Sequence, residues 1–520
     1  MTRTRSSLAI VLGFLLLASA AALAQATPPT PDKADKPDKS DDAALPIPPE
    51  SSSVTKHDRT SGAQTIHYTA TAGNLLIKDD KDKPNSSIFY VAYTQDGADA
   101  RTRPVTFFYN GGPGSATIWL HMGSFGPVRV VTDSPDASAP PPFQVVVNQS
   151  SLIDKSDLVF IDAPMTGFSR LVGKGTVKDF AGVDEDVRAF DKFITRYITL
   201  NQRWNSPKFL FGESYGTPRS AALVAALQND GIEFNGVTLL SSILNYNVRA
   251  PGYDTSAIAY LPSYTAVAYY YKKGKHTGTM ADAVQQAREF ARGPYAEALA
   301  RGDKLPPADF DAIAQKVADL TGLSLQYVKE TKLRISPARF RKELLRDDAR
   351  TFGRYDARFE GWDEDSAGET PGYDPSNTGP EGAYVAAFHD YMQKELRYTS
   401  SDTYFVTGPG VNEAWNLKHH PSGATGPNAE QTLPDTAVDL ADAMRKNPRL
   451  HVFSANGYFD LATPFFATEY DLSHMMLPPP LTGNIMFGYY PSGHMVYLNT
   501  EAQKLMKTDL DRFYDDSLTK

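Results

Sequence analysis

The stretch FLFGESYGTP, Phe209 to Pro218, decides how the chain is to be read. An apolar run ends at Gly212, Ser214 stands between two glycines, and helix-compatible residues follow. One glycine would be enough to join a buried strand to a helix. Two, in the pattern Gly212-x-Ser214-x-Gly216, fit a strand-to-helix turn so tight that neighbouring side chains must be absent, which leaves the serine hydroxyl exposed. Many serines sit in glycine-rich turns without doing chemistry, so the rest of the chain has to supply a base, an acid and a site for negative charge.

Outward from this turn, apolar runs recur at Val105–Tyr109, Leu158–Asp162, Phe209–Phe211, Val237–Leu240, Leu450–Phe453 and Ile485–Tyr489, each ended by a loop containing glycine or proline. Runs apolar on both faces belong in the middle of a covered sheet. Val183, Val187, Phe190, Ile194 and Tyr197 recur at helical spacing, and Ala221 to Leu227 predicts a second helix after Ser214. Strands alternating with helices predict a doubly wound, mostly parallel α/β sheet with helices on both faces. Upstream, TIHYTATAGNLLI and SSIFYVAYT alternate in polarity, as half-exposed antiparallel strands do.

The ends and the middle differ from this core. Residues 1–26 carry Arg3 and Arg5, an apolar run from Leu8 to Leu17, then small residues, the order of a cleaved export signal. Cleavage after Ala24 or after Ala26 satisfies the small-x-small rule. Residues 27–53, rich in Pro, Asp, Lys and Ser, are expected to be a disordered linker, because almost no apolar surface repays their ordering. The core then runs over 54–244 and 404–520, interrupted by an insertion at 245–403 that reads as a mainly helical cap. The chain has no cysteine, which excludes a disulfide scaffold and a thiolate site. Export without cysteine suits a bacterial periplasm or medium. A net charge of −9, with acids and bases interleaved, argues against nucleic-acid partners, and no stretch after the signal is long and apolar enough to span a bilayer.

In α/β-hydrolases the order of the reacting residues is serine, then an acid, then histidine. His494, in YYPSGHMVY, follows the run ending at Tyr489, and Asp460, in FSANGYFDLATP, follows the run ending near Ser454. Parallel strands would bring both to the sheet edge that holds Ser214. Separately, Asp460 could cap a following helix and His494 could be a surface residue. The loop FFYNGGPGS, Phe107 to Ser115, lets backbone N–H groups approach a developing oxyanion. It lacks the lysine of a phosphate-binding loop. The acids at 356, 363, 364, 365 and 374 do not have calcium-loop spacing, and the cluster Tyr269-Tyr270-Tyr271 could line a cleft or pack the cap.

Taken together, Asn110-Gly111-Gly112-Pro113-Gly114, Gly212-Glu213-Ser214-Tyr215-Gly216, Asn456-Gly457 before Asp460, and Gly493-His494-Met495 resemble the signature blocks of serine carboxypeptidases (peptidase family S10), in a bacterial form. The resemblance implies an α/β-hydrolase fold, peptide substrates, and no cofactor or metal. It makes Ser214 the nucleophile, His494 the base, Asp460 the orienting acid, and the N–H groups of Gly112 and Tyr215 the oxyanion hole. Asn110 and Glu213 would hold the substrate's terminal carboxylate. Three positions depart from the family pattern. Phe108 replaces a tryptophan, disulfides are absent, and Ser124 replaces a second glutamate, so Glu213 is expected to lack a partner acid and to ionise readily. Two rivals are an esterase or acyltransferase on the same frame, and a silent binding relative. The second has no need to keep all three reacting residues.

Overall fold

The computed structural model describes residues 44–61, 64–250 and 252–519. The signal at 1–26 and the linker up to residue 43 lie outside the described residues. A ten-stranded sheet organises the rest. Its main strands are β1 (Ser52–Ser61), β2 (Gln64–Lys78), β3 (Pro84–Gln95), β4 (Val105–Tyr109), β5 (Asp157–Ile161), β6 (Lys208–Glu213), β7 (Gly236–Leu240), β8 (His451–Gly457) and β9 (Ile485–Tyr490). They lie in the order β1-β2-β3-β5-β4-β6-β7-β8-β9, and the short pair Arg170–Leu171 bonds to β3. Pairing is antiparallel from β1 through β5 and parallel from β5 to β9. The division follows composition, since β4, β5, β6 and β7 are buried at every position whereas β2 alternates.

The α-helices of ten or more residues are α1 (Val183–Leu200), α2 (Gly216–Asn229), α3 (Thr255–Tyr270), α4 (Met280–Phe290), α5 (Pro307–Thr321), α6 (Pro375–Lys394), α7 (Ala437–Lys446) and α8 (Thr500–Leu518). One face of the sheet packs on α1, α2 and α7, with Val187, Phe190, Ile194 and Tyr197 of the stripe buried there. The other face packs on α6 and α8. Helices α3, α4 and α5 form a separate core that takes in Phe459 and Leu461, the residues on either side of Asp460. This is the mostly parallel, doubly wound sheet of the α/β-hydrolase fold.

Two expected boundaries are corrected. The linker does not extend to Ser53. Leu45 and Gly173 exchange backbone hydrogen bonds, and Glu50 accepts from the Leu76 N–H and pairs with Arg196. Hydrogen bonds fix a segment whose side chains bury little, which an apolar count does not register. Within the insertion, α6 belongs to the sheet, because Tyr384, Phe388, Tyr391 and Met392 pack into the same core as Phe160 and Phe211.

Register places the site. Tyr109 stands opposite Gly212, Glu213 opposite Leu240, Leu240 opposite Ala455, and Gly457 opposite Tyr490. The strands therefore end together, and the loops after β4, β6, β8 and β9 emerge at one edge. The chain passes from β4 to β5 on one side and returns to β6 on the other, so the crevice between β4 and β6 is the switch point where such sheets take ligands.

Away from that edge, the loop after Thr403 is tied down by His419. Its Nδ1 is 2.6 Å from Asp184 Oδ1 at the start of α1, and its Nε2 is 2.9 Å from Asp439 Oδ2 in α7. Burial opposes the imidazolium, but the hydrogen bonds and charges of the two aspartates outweigh it and raise His419 to about 9. A group raised in the folded state stabilises fully below its unfolded value, near 6.5, and loses that contribution as pH rises through about 9. His419→Gln is therefore expected to lower stability by about 3 kcal/mol near pH 6 and by much less near pH 9. Thermal melting of both proteins across this range is the check, and a deficit independent of pH would remove the charge from the account.

Candidate active site

Ser214 sits in the turn between β6 and α2 at φ 59°, a left-handed conformation that a residue with a Cβ adopts only under local constraint. The two glycines beside it answer to space. A Cβ on Gly212 would lie 2.1 Å from the Gly216 carbonyl oxygen and 2.5 Å from Ser220 Oγ, and one on Gly216 would lie 2.8 Å from the Tyr109 carbonyl oxygen. The serine N–H is held by the Leu240 carbonyl at 3.0 Å. Its hydroxyl has no hydrogen-bond partner among the described residues, and it lines a cavity of about 390 Å³ together with His494.

Asp460 and His494 meet at the same edge. His494 Nδ1 is 2.7 Å from Asp460 Oδ2, and both residues are buried. Asp460 does not cap the following helix, which starts at Phe465 with Pro464 as its N-cap; its Oδ1 instead closes the turn before that helix, accepting from the N–H groups of Ala462 and Thr463 at 2.7 and 2.9 Å. Thr463 Oγ1 lies 2.6 Å from Asp460 Oδ2 and 3.0 Å from His494 Nδ1. This fixes the ring from its Nδ1 side. The imidazole is also held through its backbone, where the His494 N–H donates to the Tyr355 carbonyl and the Ser241 hydroxyl donates to the His494 carbonyl. His494 is thus a buried, oriented residue and not a surface one.

The β4 loop packs directly on the Ser214 turn. The backbone N–H groups of Gly112 and Tyr215 have no acceptor among the described residues, and both residues line the cavity. Beneath this loop Arg219 is fully buried. It forms a two-point ion pair with Asp186 of α1 at 2.6 and 3.0 Å and donates to the Asn110 carbonyl at 2.7 Å. One side chain therefore ties together α1, the helix that starts at Gly216, and the β4 loop.

Glu213 and Asn110 both line the cavity beside Ser214. The expectation that Glu213 ionises readily is corrected. Burial pushes its carboxyl up to about 7, and the charge of Asp460 adds to this, while His494, the Tyr497 hydroxyl and the Asn110 amide partly offset it. The missing second glutamate is also explained differently. The Ser124 hydroxyl turns back to the Leu120 carbonyl at 2.5 Å, and Tyr497 instead donates to Glu213 Oε2 at 2.8 Å. Phe108 does not line the cavity. It is fully buried between the rings of Phe160 and Phe211, at 4.7 and 4.8 Å, whereas Trp119 lines the cavity.

The insertion reaches the cavity from its two ends, through Tyr246 and Arg249 and through Arg354, Tyr355, Asn377 and Glu381. The tyrosine cluster does not line this cavity. Tyr270 packs on Phe459 and the Tyr271 hydroxyl donates to the Ala357 carbonyl. The acids at 356, 363 and 374 serve structure, as Asp356 pairs with Arg358, Asp363 pairs with Lys342, and Asp374 caps α6. Arg358 also donates to the Pro491 carbonyl, and Asp356 accepts from the Gly493 N–H, so this pair holds the loop that carries His494.

The family model for serine carboxypeptidases matches residues 62–295. The chain is 30% identical over 156 residues to the pheromone-processing carboxypeptidase KEX1 of Saccharomyces cerevisiae, covering 28% of this chain and 20% of the yeast protein. It is 25% identical over 199 residues to serine carboxypeptidase-like 33 of Arabidopsis thaliana, covering 36% and 40%. These matches span under half the length of either relative. A crystal structure of a prohormone-processing carboxypeptidase from Saccharomyces cerevisiae superposes with a TM-score of 0.51 at 16% identity, covering 86% of this chain and 91% of that one.

Proposed function

Since the chain belongs to the serine carboxypeptidase family, we propose that it removes the last residue of peptides through an acyl-enzyme on Ser214. His494 Nε2 takes the Ser214 proton as Oγ attacks the last peptide carbonyl, and Asp460 fixes the ring that becomes cationic. The N–H groups of Gly112 and Tyr215 receive the oxyanion. Collapse of the tetrahedral intermediate breaks the C–N bond. His494 returns the proton to the leaving amine, which departs as a free amino acid. Water, deprotonated by His494, then hydrolyses the ester and frees the shortened peptide. The proposal includes export to a bacterial periplasm or medium, which rests on the pattern of residues 1–26.

The observation that carries this reading over that of an esterase is Glu213. A buried carboxyl adjacent in sequence to the nucleophile, facing the same cavity as Asn110 and held near 7, stays protonated in mild acid. A neutral acid can donate a hydrogen bond to a substrate carboxylate, whereas its anion repels one. A neutral ester has no use for such a group.

The test compares kcat/KM for a blocked dipeptide acid and its C-terminal amide from about pH 5 to 8. The acid should be preferred below about pH 7 and lose its advantage as Glu213 ionises above it. Glu213→Gln, which stays neutral, should flatten the profile while keeping a preference for the acid. A preference for the amide or for an ester of the same acyl group at every pH would favour the esterase reading.

A further inference from the structure

The cavity holds two cations that the reaction does not use. Arg249 ends the turn Tyr246–Arg249 at the start of the insertion, and Arg354 lies at the insertion's other approach to the cavity. Both arginines are tied to the chain just after Asp460. Arg249 Nη1 donates to the Ala462 carbonyl at 2.5 Å, and the Arg354 carbonyl accepts from the Leu461 N–H at 3.0 Å. Neither guanidinium forms an ion pair among the described residues, and that of Arg354 lies over the Tyr355 ring at 5.2 Å. Arg249 Nη2 is buried with no hydrogen-bond partner among the described residues. Asp471 lies close enough to feel the Arg249 charge; its Oδ2 accepts from the N–H groups of Leu244 and Asn245, and its Oδ1 is buried with no hydrogen-bond partner among the described residues.

Charge is segregated along the cavity. The acids that line it are Glu213 and Glu381. Glu381 lies one turn before Tyr384, which packs on Trp119 and senses the Glu213 charge, so both acids belong to the end that takes the terminal carboxylate. Arg249 lies with Ile243, Tyr246 and Ala462 on the side of Asp460 and His494. A substrate whose last residue occupies the Asn110 and Glu213 end extends its acyl part towards these cations. Arg249 and Arg354 both line the cavity with no acid paired to them, and a substrate carboxylate there would supply charge as well as a hydrogen bond.

We propose that Arg249, assisted by Arg354, selects peptides with Asp or Glu at the residue that forms the acyl-enzyme. This rests on the reading of Ser214 as an acylated nucleophile. Arg249 acts in specificity and takes no part in the proton transfers.

The test uses N-blocked dipeptide acids that differ only at the acyl residue, as Glu, Gln or Lys, and the same blocked residues as methyl esters. Glu is expected to exceed Gln in kcat/KM by about tenfold at low salt, with Lys lowest, and the gap should narrow in about 0.5 M salt. Arg249→Gln should lower the Glu substrate by about tenfold more than the Gln substrate, and Arg249→Glu should reverse the order in favour of Lys. Equal rates for Glu and Gln in the parent, or an equal loss on all three substrates in Arg249→Gln, would overturn the inference. The second result would leave Arg249 only the structural task of holding Ala462. If esters turn over and peptide acids do not, the carboxypeptidase reading fails, but the ester series still decides the acyl preference. No turnover of either series overturns both.

Discussion

Ser214→Ala is expected to lower turnover by about six orders of magnitude, leaving a residual rate about a thousandfold above the uncatalysed reaction. The loss is large because the three groups act as a unit. Without Oγ, the proton acceptor on His494 has nothing to activate. The residual rate comes from binding and from the N–H groups of Gly112 and Tyr215, which the substitution does not touch. Alanine has the same Cβ as serine, so the strained turn at φ 59° is neither relieved nor worsened, and the fold should be unchanged. A fluorophosphonate probe should label the parent on the peptide containing Ser214 and leave the variant unlabelled. Ser214→Gly separates strain from chemistry, since it should be as inactive as alanine yet more stable by about 1 kcal/mol. Undiminished turnover in a folded Ser214→Ala protein would remove this residue from the reaction.

The features that place the site were readable because they are local. Gly212 and Gly216 mark the turn by the absence of side chains, and the six apolar runs from Val105 to Tyr489 all fall in the parallel part of the sheet. Their shared edge brings Ser214, Asp460 and His494 together through register, which a run of apolar letters implies but does not specify. The supporting contacts are of another kind. Arg219 is a lone cation in an otherwise apolar stretch of α2, and its partners Asp186 and Asn110 are 33 and 109 residues away in the chain. Tyr497 reaches Glu213 across 284 residues. Thr463 had a readable signal, a hydroxyl three residues after Asp460, the spacing at which a side chain can meet a turn. The absence of a charged neighbour argues for easy ionisation of Glu213, but the sequence carries no measure of its burial, which argues the other way. At a position that is 3% exposed, burial dominates. Helix α6 lies within the insertion by its place in the chain, while its Tyr384, Phe388 and Tyr391 belong to the sheet core.

Asp460→Asn should cost about four orders of magnitude in turnover while leaving the loop in place. The two oxygens of Asp460 have separate tasks, and asparagine can perform only one of them. Its Oδ1 can still accept from the N–H groups of Ala462 and Thr463, so the turn after β8 survives. The amide nitrogen then replaces Oδ2 at 2.7 Å from His494 Nδ1. An amide N–H donates where the carboxylate accepted, so the ring must present a lone pair at Nδ1 and carry its proton on Nε2. In that tautomer Nε2 cannot take the Ser214 proton. The imidazolium formed during reaction also loses its counter-charge. Thr463→Val provides the contrast, because it removes one hydrogen bond near Asp460 Oδ2 and leaves the carboxylate, and its loss should be closer to about tenfold. Measured kcat for the two variants, with melting curves to show that both are folded, checks the assignment. A loss in Asp460→Asn no larger than that in Thr463→Val would mean that the aspartate shapes the loop and does not set the state of His494.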